Sequence, residues 1–194
     1  MGGSLFPEWV PTLNPVDCRS IGAAYLSQLP VGLPGQSRTT DKWLENLEYL
    51  GLLAICLPNA RFIHCQRDRH DQVFSCWAML FSENQEYAYT PHELGRYVRA
   101  YEELMEHWHA VLPPGRMLEV SYEALVADPE AGAKRILAHC DLDWDPQVLR
   151  YWESKRPVRS ASLTQVREPI YDRSIGRWKP FEPYLGYLFD AVEG

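Results

Sequence analysis

Two side chains eight residues apart, Arg67 and Ser75, have the chemistry to bind a phosphate group. Arginine presents a planar fork of N–H donors that matches phosphate oxygens, and a serine hydroxyl adds a short hydrogen bond. Each charge-assisted hydrogen bond of this kind contributes about 1.5–3 kcal/mol. The same residues also fit a surface ion pair between Arg67 and Asp68 or Asp71, with Ser75 solvated. The spacing alone leaves both interpretations open.

The sequence around these residues predicts a strand that leads directly into a helix. Residues 61–65, RFIHC, are short, apolar and β-prone, and a polar turn follows at 66–70. A helix is predicted next because apolar residues recur at helical spacing at Val73, Phe74, Trp77, Leu80 and Phe81. Such a junction places a helix N-terminus at the carboxyl edge of a sheet, where anionic ligands bind in open α/β folds.

The segment PNARFIHCQRD at residues 58–68, followed by Ser75, resembles a known phosphate-binding motif. It is similar to the 3′-phosphate motif of sulfotransferases that use 3′-phosphoadenosine 5′-phosphosulfate (PAPS), in the bacterial type related to protein-tyrosine sulfotransferases. The resemblance implies that Arg67 and Ser75 bind the 3′-phosphate of PAPS. Arg69 departs from the pattern, since that type usually has proline there, but both phosphate ligands are retained.

Lys42 precedes a helix predicted over residues 43–56. Taken by itself it fits a solvated lysine at a helix start. In the resembled family a lysine at this place reaches the sulfuryl group and the bridging oxygen in the transition state, so the resemblance implies that Lys42 is catalytic. Asp41 is expected to orient its neighbours rather than to act as a base.

A second strand is predicted at residues 116–120, RMLEV, and the segment that follows resembles the family's YExLVxDPE element. Tyr122 would then stand near Arg67 if the two strands are neighbours. Two roles are open for Tyr122: its hydroxyl binds the 3′-phosphate, or the side chain is half-buried and only packs against its neighbours. Glu123 is expected to bond backbone amides at the start of the next helix.

Basic residues are concentrated near the C-terminus. Residues 155–179 hold seven basic and two acidic residues, a net +5, whereas the rest of the chain holds 12 basic and 24 acidic, a net −12. This concentration favours an anionic ligand over a solvated basic loop paired with acidic neighbours. The segment resembles the family's closing loop, which implies that Ser162 and Arg167, and next Arg177, bind the nucleotide's phosphates.

The expected fold is α/β, a P-loop-kinase-like three-layer sandwich with a short parallel sheet, formed as a single domain over residues 1–194. Residues 1–37 are an irregular lead-in plus a helix, 38–178 carry the family resemblance, and 179–194 form a terminal helix. The family's Ser/Gly/Thr-rich loop for the 5′-phosphosulfate is not found, and Glu8 is too isolated to assign as the base. The sheet is therefore expected to be incomplete on its N-terminal side, as in the C-terminal portion of a sulfotransferase.

An incomplete sheet leaves the strand at residues 61–65 with an unpaired edge, so a homodimer is a possible partner arrangement. The alternative is that residues 5–13 cover that edge. The acceptor itself, a small molecule or a peptide, is not readable from the sequence because acceptor pockets lie on variable loops.

Composition excludes several other classes. A net charge of −7 argues against nucleic-acid binding. The longest apolar run, 50–57, is far below the roughly 20 residues of a membrane span, and no signal peptide is evident. Five scattered cysteines without a CxxC pair favour a reducing cytoplasm, and the His and Cys spacing fits no usual zinc pattern, so no metal is expected.

The predicted function is transfer of a sulfuryl group from PAPS to an acceptor hydroxyl or amine, without a metal, with incomplete catalysis by this chain alone as one expectation. The alternative is a non-catalytic, truncated sulfotransferase relic that binds nucleotide or a protein partner. A plain P-loop kinase is excluded because no G-x-x-x-x-G-K-[ST] sequence occurs.

Overall fold

The computed structural model describes residues 5–30, 35, 37–81, 85–154 and 165–194. Two compact units are present, one within Met1–Arg61 and Leu104–Arg116, the other within Phe62–Glu103 and Met117–Gly194. Ser162 lies outside the described residues, so its role stays a prediction. None of the helices in the described ranges combines the length and apolarity needed to cross a membrane.

The described residues of the first unit include the α-helices α1 (Pro15–Gln28) and α2 (Leu50–Cys56). Helix α1 begins with a capping box, in which the Asn14 side chain accepts from the Asp17 amide and the Asp17 carboxylate accepts from the Asn14 amide, both at 3.1 Å. A Cβ at Gly22 would stand 2.3 Å from the carbonyl oxygen of Cys56. The absence of a side chain at Gly22 therefore lets α1 and α2 pack at backbone distance.

The prediction of one helix over 43–56 is wrong, because the segment divides into a 3₁₀ helix, Leu44–Leu47, and the shorter α2. Trp108 explains the break. Its indole N–H donates to the Leu47 carbonyl at 2.8 Å, and a continuous helix would offer that carbonyl to Gly51. The indole also packs on Gly51, whose Cβ would stand 2.8 Å from the ring.

The second unit is built on a parallel pair of strands, β1 (Phe62–Gln66) and β2 (Met117–Ser121). The register pairs Phe62 with Met117 and Gln66 with Ser121, so both strands end at the same level. Within the described ranges the sheet has two strands. The predicted α/β class with a short parallel sheet is confirmed, and each strand begins one residue later than predicted.

Among the described residues the α-helices that follow β1 are α3 (Arg69–Trp77), α4 (Pro91–Val111), α5 (Tyr122–Ala127), α6 (Pro129–His139) and α7 (Gly186–Glu193). The residues of α4 from Leu104 onward belong to the first unit. The apolar faces of α3, α4 and α7 form the core, which contains Val73, Phe74, Leu94, Val98, Leu185, Leu188 and Val192. A Cβ at Gly95 would stand 1.9 Å from the Ala191 carbonyl oxygen, so α4 and α7 pack at backbone contact. This core holds α3 in place at the end of β1.

The predicted terminal helix is divided, with a 3₁₀ helix at Lys179–Tyr184 before α7. Pro183 lies inside the 3₁₀ segment, and its missing N–H is incompatible with a continuous α-helix. A further 3₁₀ segment, Pro146–Glu153, has a kink at Arg150, whose φ and ψ of −121° and 34° are not helical.

Candidate functional site

The carboxyl ends of β1 and β2 bring Arg67 and Tyr122 side by side. Because Gln66 pairs with Ser121, the next residue of each strand lies at the same edge of the sheet. The guanidinium carbon of Arg67 is 5.6 Å from the centre of the Tyr122 ring. The predicted proximity of these two residues is therefore observed, at the edge where α/β folds bind ligands.

The Glu123 side chain ties the two strand ends together. Its carboxylate accepts from the Asp68 amide at 2.8 Å and from the Ser121 hydroxyl at 2.7 Å. Burial raises the pKa of Glu123, but the hydrogen bonds from Asp68, Ser121 and its own amide, together with the charge of Arg67, hold that pKa below its ordinary value. Glu123 therefore bonds a backbone amide, as expected. That amide belongs to Asp68, in the turn before α3, and not only to the helix in which Glu123 itself lies.

Replacing Glu123 with glutamine is expected to lower the free energy of unfolding by about 1–2 kcal/mol at pH 7, since charge-assisted hydrogen bonds become neutral ones. A carboxylate with a lowered folded-state pKa stabilises the fold fully above its unfolded pKa, about 4.3, and that stabilisation is lost as the pH falls through the folded-state value. Urea unfolding of wild type and Glu123→Gln at pH 7 and below pH 4 measures the difference.

The control for this comparison is Glu130→Gln, which removes an exposed partner of Lys134. The glutamine variant of Glu130 should leave stability nearly unchanged at both pH values. A Glu123→Gln difference that stays constant down to the lowest pH would contradict the assigned role of the charge.

Helix α3 starts directly after the strand because Asp68 caps it, its side chain accepting from the Asp71 amide at 2.9 Å. Arg69 occupies the first helical position, where proline also fits well. Its guanidinium donates to Glu102 at 2.9 Å and to the Val192 carbonyl at 3.1 Å. Arg69 therefore anchors α3 to α4 and α7, and the departure from the family pattern leaves the turn intact.

Four hydrogen bonds hold residues 171–177, here called the tail loop, against these elements. Arg67 Nη2 donates to the Ser174 carbonyl at 2.7 Å, and the Tyr122 hydroxyl donates to the Tyr171 carbonyl at 2.6 Å. The amides of Gly176 and Arg177 donate to the Asp71 carboxylate at 2.6 and 2.8 Å. Side chains from α3 and from both strand ends thus hold the backbone of the tail loop.

Tyr122 donates its hydroxyl proton to the tail loop, and the structure favours that protonated state. Burial is the largest cause that raises the pKa of Tyr122, while nearby Arg67 opposes it. The hydroxyl therefore remains a donor well above neutral pH. This geometry fits a packing role for Tyr122, and it also fits phosphate binding, because a phosphate would compete with the Tyr171 carbonyl for the same hydroxyl donor.

The Arg67–Asp71 pairing considered from the sequence is present, but it is not a surface ion pair. Arg67 Nη2 is 3.9 Å from the Asp71 carboxylate, and the Asp71 side chain is 1% exposed. The side chain of Arg67 is 24% exposed, and its buried Nε–H has no hydrogen-bond partner among the described residues. Ser75, half-buried, follows Asp71 by one helical turn on the same face of α3.

The other two basic candidates of the C-terminal region are exposed. Arg177 has its guanidinium 5.8 Å from the centre of the Phe74 ring, which places it against α3. Arg167 ends a short 3₁₀ helix, Gln165–Arg167. The structure thus brings Arg67, Tyr122 and the backbone of Arg177 into one hydrogen-bonded arrangement.

Lys42 is an exposed residue of the first unit, and its backbone is fixed by Asp41. The Asp41 carboxylate accepts from the Tyr25 hydroxyl at 2.5 Å, from the Asn46 amide group at 3.0 Å and from the Lys42 backbone amide. Hydrogen bonds from Tyr25 and then Asn46 lower the pKa of Asp41, while burial and Asp41 raise the pKa of Tyr25 to about 12. A carboxylate with a lowered pKa is a weak base, which agrees with an orienting role.

Asp71 is the site residue whose role the sequence did not show. Its partners, Gly176 and Arg177, lie more than 100 residues away in the sequence, and backbone amides have no sequence signature. The available sequence signal is an aspartate four residues after Arg67, which the spacing allows as an ion-pair partner of that arginine.

A model of the sulfotransferase family matches residues 6–146. A protein of Aquifex aeolicus (strain VF5), described only as uncharacterized, is 33% identical over 192 residues. That match includes 96% of this chain and 25% of the relative, so the chain spans about a quarter of the relative's length.

A solved sulfotransferase domain from the curacin biosynthetic pathway has a similar fold, with a TM-score of 0.58. The match includes 79% of this chain and 60% of that domain, at 16% identity. At this identity the likeness concerns the fold alone, and it agrees with the expected P-loop-kinase-like α/β architecture.

Proposed function

The chain belongs to the sulfotransferase family, and from that premise we propose that it binds PAPS and takes part in sulfuryl transfer to an acceptor hydroxyl or amine. The acceptor is a small molecule or a peptide. We propose no role for a metal or a nucleic acid in the reaction. PAPS is the proposed co-substrate, and the cytoplasm is the proposed location.

One observation carries the proposal: an arginine whose buried Nε–H has no partner among the described residues stands at the carboxyl end of a parallel strand, directly before a helix N-terminus. Arg67 follows β1, and α3 begins two residues later with its cap at Asp68. The helix N-terminus and the guanidinium both favour an anion at this edge. We assign the 3′-phosphate of PAPS to Arg67 and Ser75.

The tail loop is proposed to close over this phosphate. The Ser174 carbonyl now accepts from Arg67 Nη2, and the Tyr171 carbonyl accepts from Tyr122. A phosphate oxygen is the stronger acceptor for a guanidinium, since the hydrogen bond is assisted by charge on both partners. Binding would therefore exchange these carbonyls for phosphate oxygens, with Arg167 and Arg177 adding positive charge.

Lys42 is proposed to act at the sulfuryl group. In the reaction the acceptor oxygen or nitrogen forms a bond to sulfur as the bond from sulfur to the bridging oxygen breaks. The 5′-phosphate leaves with that electron pair, and the acceptor's proton passes to water. An ammonium group at the bridging oxygen stabilises the charge that develops there. Asp41, held by Tyr25 and Asn46, would fix the backbone from which the Lys42 side chain extends.

Calorimetric titration with two nucleotides tests this function. Adenosine 3′,5′-bisphosphate, the product of the donor, is expected to bind at least about tenfold more tightly than adenosine 5′-monophosphate, as for one added charge-assisted contact. Equal affinities for the two would contradict the assigned site.

A radiolabelled-PAPS transfer assay with phenols, sugars and peptides as acceptors then tests turnover. Selective binding of the bisphosphate together with transfer supports the enzyme. Selective binding without transfer to any acceptor identifies a nucleotide-binding relic instead.

A further inference from the structure

Asp71 is a buried carboxylate that the proposed chemistry does not use. The residue is 2% exposed. Its backbone amide donates to the Asp68 side chain, so its carboxylate needs other partners. A buried charge is costly unless hydrogen bonds compensate it. Here the compensation comes from two consecutive amides of the tail loop, Gly176 and Arg177.

The hydrogen bonds from the tail loop to Asp71 fix the backbone of the loop and not one of its side chains. Both bonds go to backbone N–H groups, at 2.6 and 2.8 Å, one on each oxygen of Asp71. Gly176 adopts a φ of +68°, a conformation that L side chains rarely adopt and that lets both amides face one carboxylate. The loop is therefore held to the first turn of α3 at a defined place.

This placement determines where the Arg177 side chain lies. Its backbone is held by Asp71, and its guanidinium lies over the Phe74 ring at 5.8 Å, next in sequence to Ser75. Asp71 also lies 3.9 Å from Arg67 Nη2. The Asp71 carboxylate thus contacts both the strand-end arginine and the backbone of the tail-loop arginine.

We propose that Asp71 is a positioning residue, which holds Arg177 where its guanidinium joins Arg67 on one phosphate group. The proposal rests on the proposed function, because the phosphate is the 3′-phosphate assigned above. It assigns Asp71 no contact with the ligand, since its oxygens are occupied by backbone amides.

The test is a double-mutant cycle on binding of adenosine 3′,5′-bisphosphate, with Asp71→Asn and Arg177→Ala. Each single variant is expected to weaken binding by about tenfold, as for loss of a guanidinium–phosphate contact. In the Asp71→Asn background, Arg177→Ala should add less than about threefold, because the arginine is already misplaced. Binding of adenosine 5′-monophosphate should not change.

Hydrogen exchange gives a second readout. In Asp71→Asn the amides of Gly176 and Arg177 should exchange faster, since the side-chain amide offers one acceptor where the carboxylate offers two. The matched control is Asp128→Ala, which removes the cap of α6, a helix without contact to Asp71 among the hydrogen bonds above. It should lower stability and leave bisphosphate affinity unchanged.

If Asp71→Asn does not fold, Gly176→Ala tests the same placement from the loop side, because alanine is strained at a φ of +68°. It too should weaken the bisphosphate about tenfold and spare the monophosphate. Faster amide exchange with unchanged bisphosphate affinity, or fully additive effects of Asp71→Asn and Arg177→Ala, would overturn the positioning role. Equal binding of both nucleotides by the wild type would instead overturn the proposed function.

Discussion

Alanine at Arg67 is expected to weaken binding of adenosine 3′,5′-bisphosphate by about 2 kcal/mol or more, roughly thirtyfold. The guanidinium supplies charge-assisted hydrogen bonds to phosphate that no neighbour replaces from the same place at the strand end. The substitution also removes the donor to the Ser174 carbonyl, so the tail loop loses one of the four hydrogen bonds described above. Calorimetric titration of both proteins with the bisphosphate measures the effect.

The matched control is the neighbouring arginine, Arg69→Ala. That variant loses the bonds to Glu102 and to the Val192 carbonyl, so it should lower stability without changing bisphosphate affinity. Ser75→Ala should cost about 1 kcal/mol, as for one ordinary hydrogen bond. Equal losses from the Arg67 and Arg69 variants would show that the effect is structural and that Arg67 does not bind the phosphate.

The strand–turn–helix junctions were predictable because their signals are local. Asp68 and Ser121 cap α3 and α5 directly after the strands, and their side chains bond amides three residues ahead. The helix predicted over 43–56 fails for the opposite reason. Its break depends on the indole of Trp108, which lies 61 residues from the Leu47 carbonyl that it binds, and no local pattern reports such a contact.

The candidate site divides in the same way. The proximity of Arg67 and Tyr122 follows from two parallel strands that end at one level, which short apolar segments followed by polar turns predict. The bonds of Asp71 to the tail loop do not follow, because the carboxylate selects backbone amides, and any residue supplies an amide. The sequence therefore predicts which side chains lie at the end of a strand. Their hydrogen bonds to distant backbone groups depend on the tertiary structure.

Lys42→Ala is expected to lower the rate of sulfuryl transfer by about 10²–10³ while leaving bisphosphate affinity within about twofold. The reason is that the proposed contact of the ammonium group is with charge that develops on the bridging oxygen in the transition state, which the bisphosphate product does not reproduce. Stability should change little, since the Lys42 side chain is exposed. Radiolabelled-PAPS turnover against the acceptor panel, with titration of the bisphosphate on the same samples, separates the two effects.

Two further variants sharpen this comparison. Lys134→Ala removes another exposed lysine, one that pairs with Glu130 on α6, and should leave both rate and affinity unchanged. Asp41→Asn keeps Lys42 but weakens the hydrogen bonds from Tyr25 and Asn46, so it should lower the rate less than Lys42→Ala does. A Lys42→Ala protein that transfers sulfuryl at the wild-type rate would remove Lys42 from the reaction. A parallel loss of rate and bisphosphate affinity would make it a ground-state phosphate ligand, because only an interaction confined to the transition state changes the rate alone.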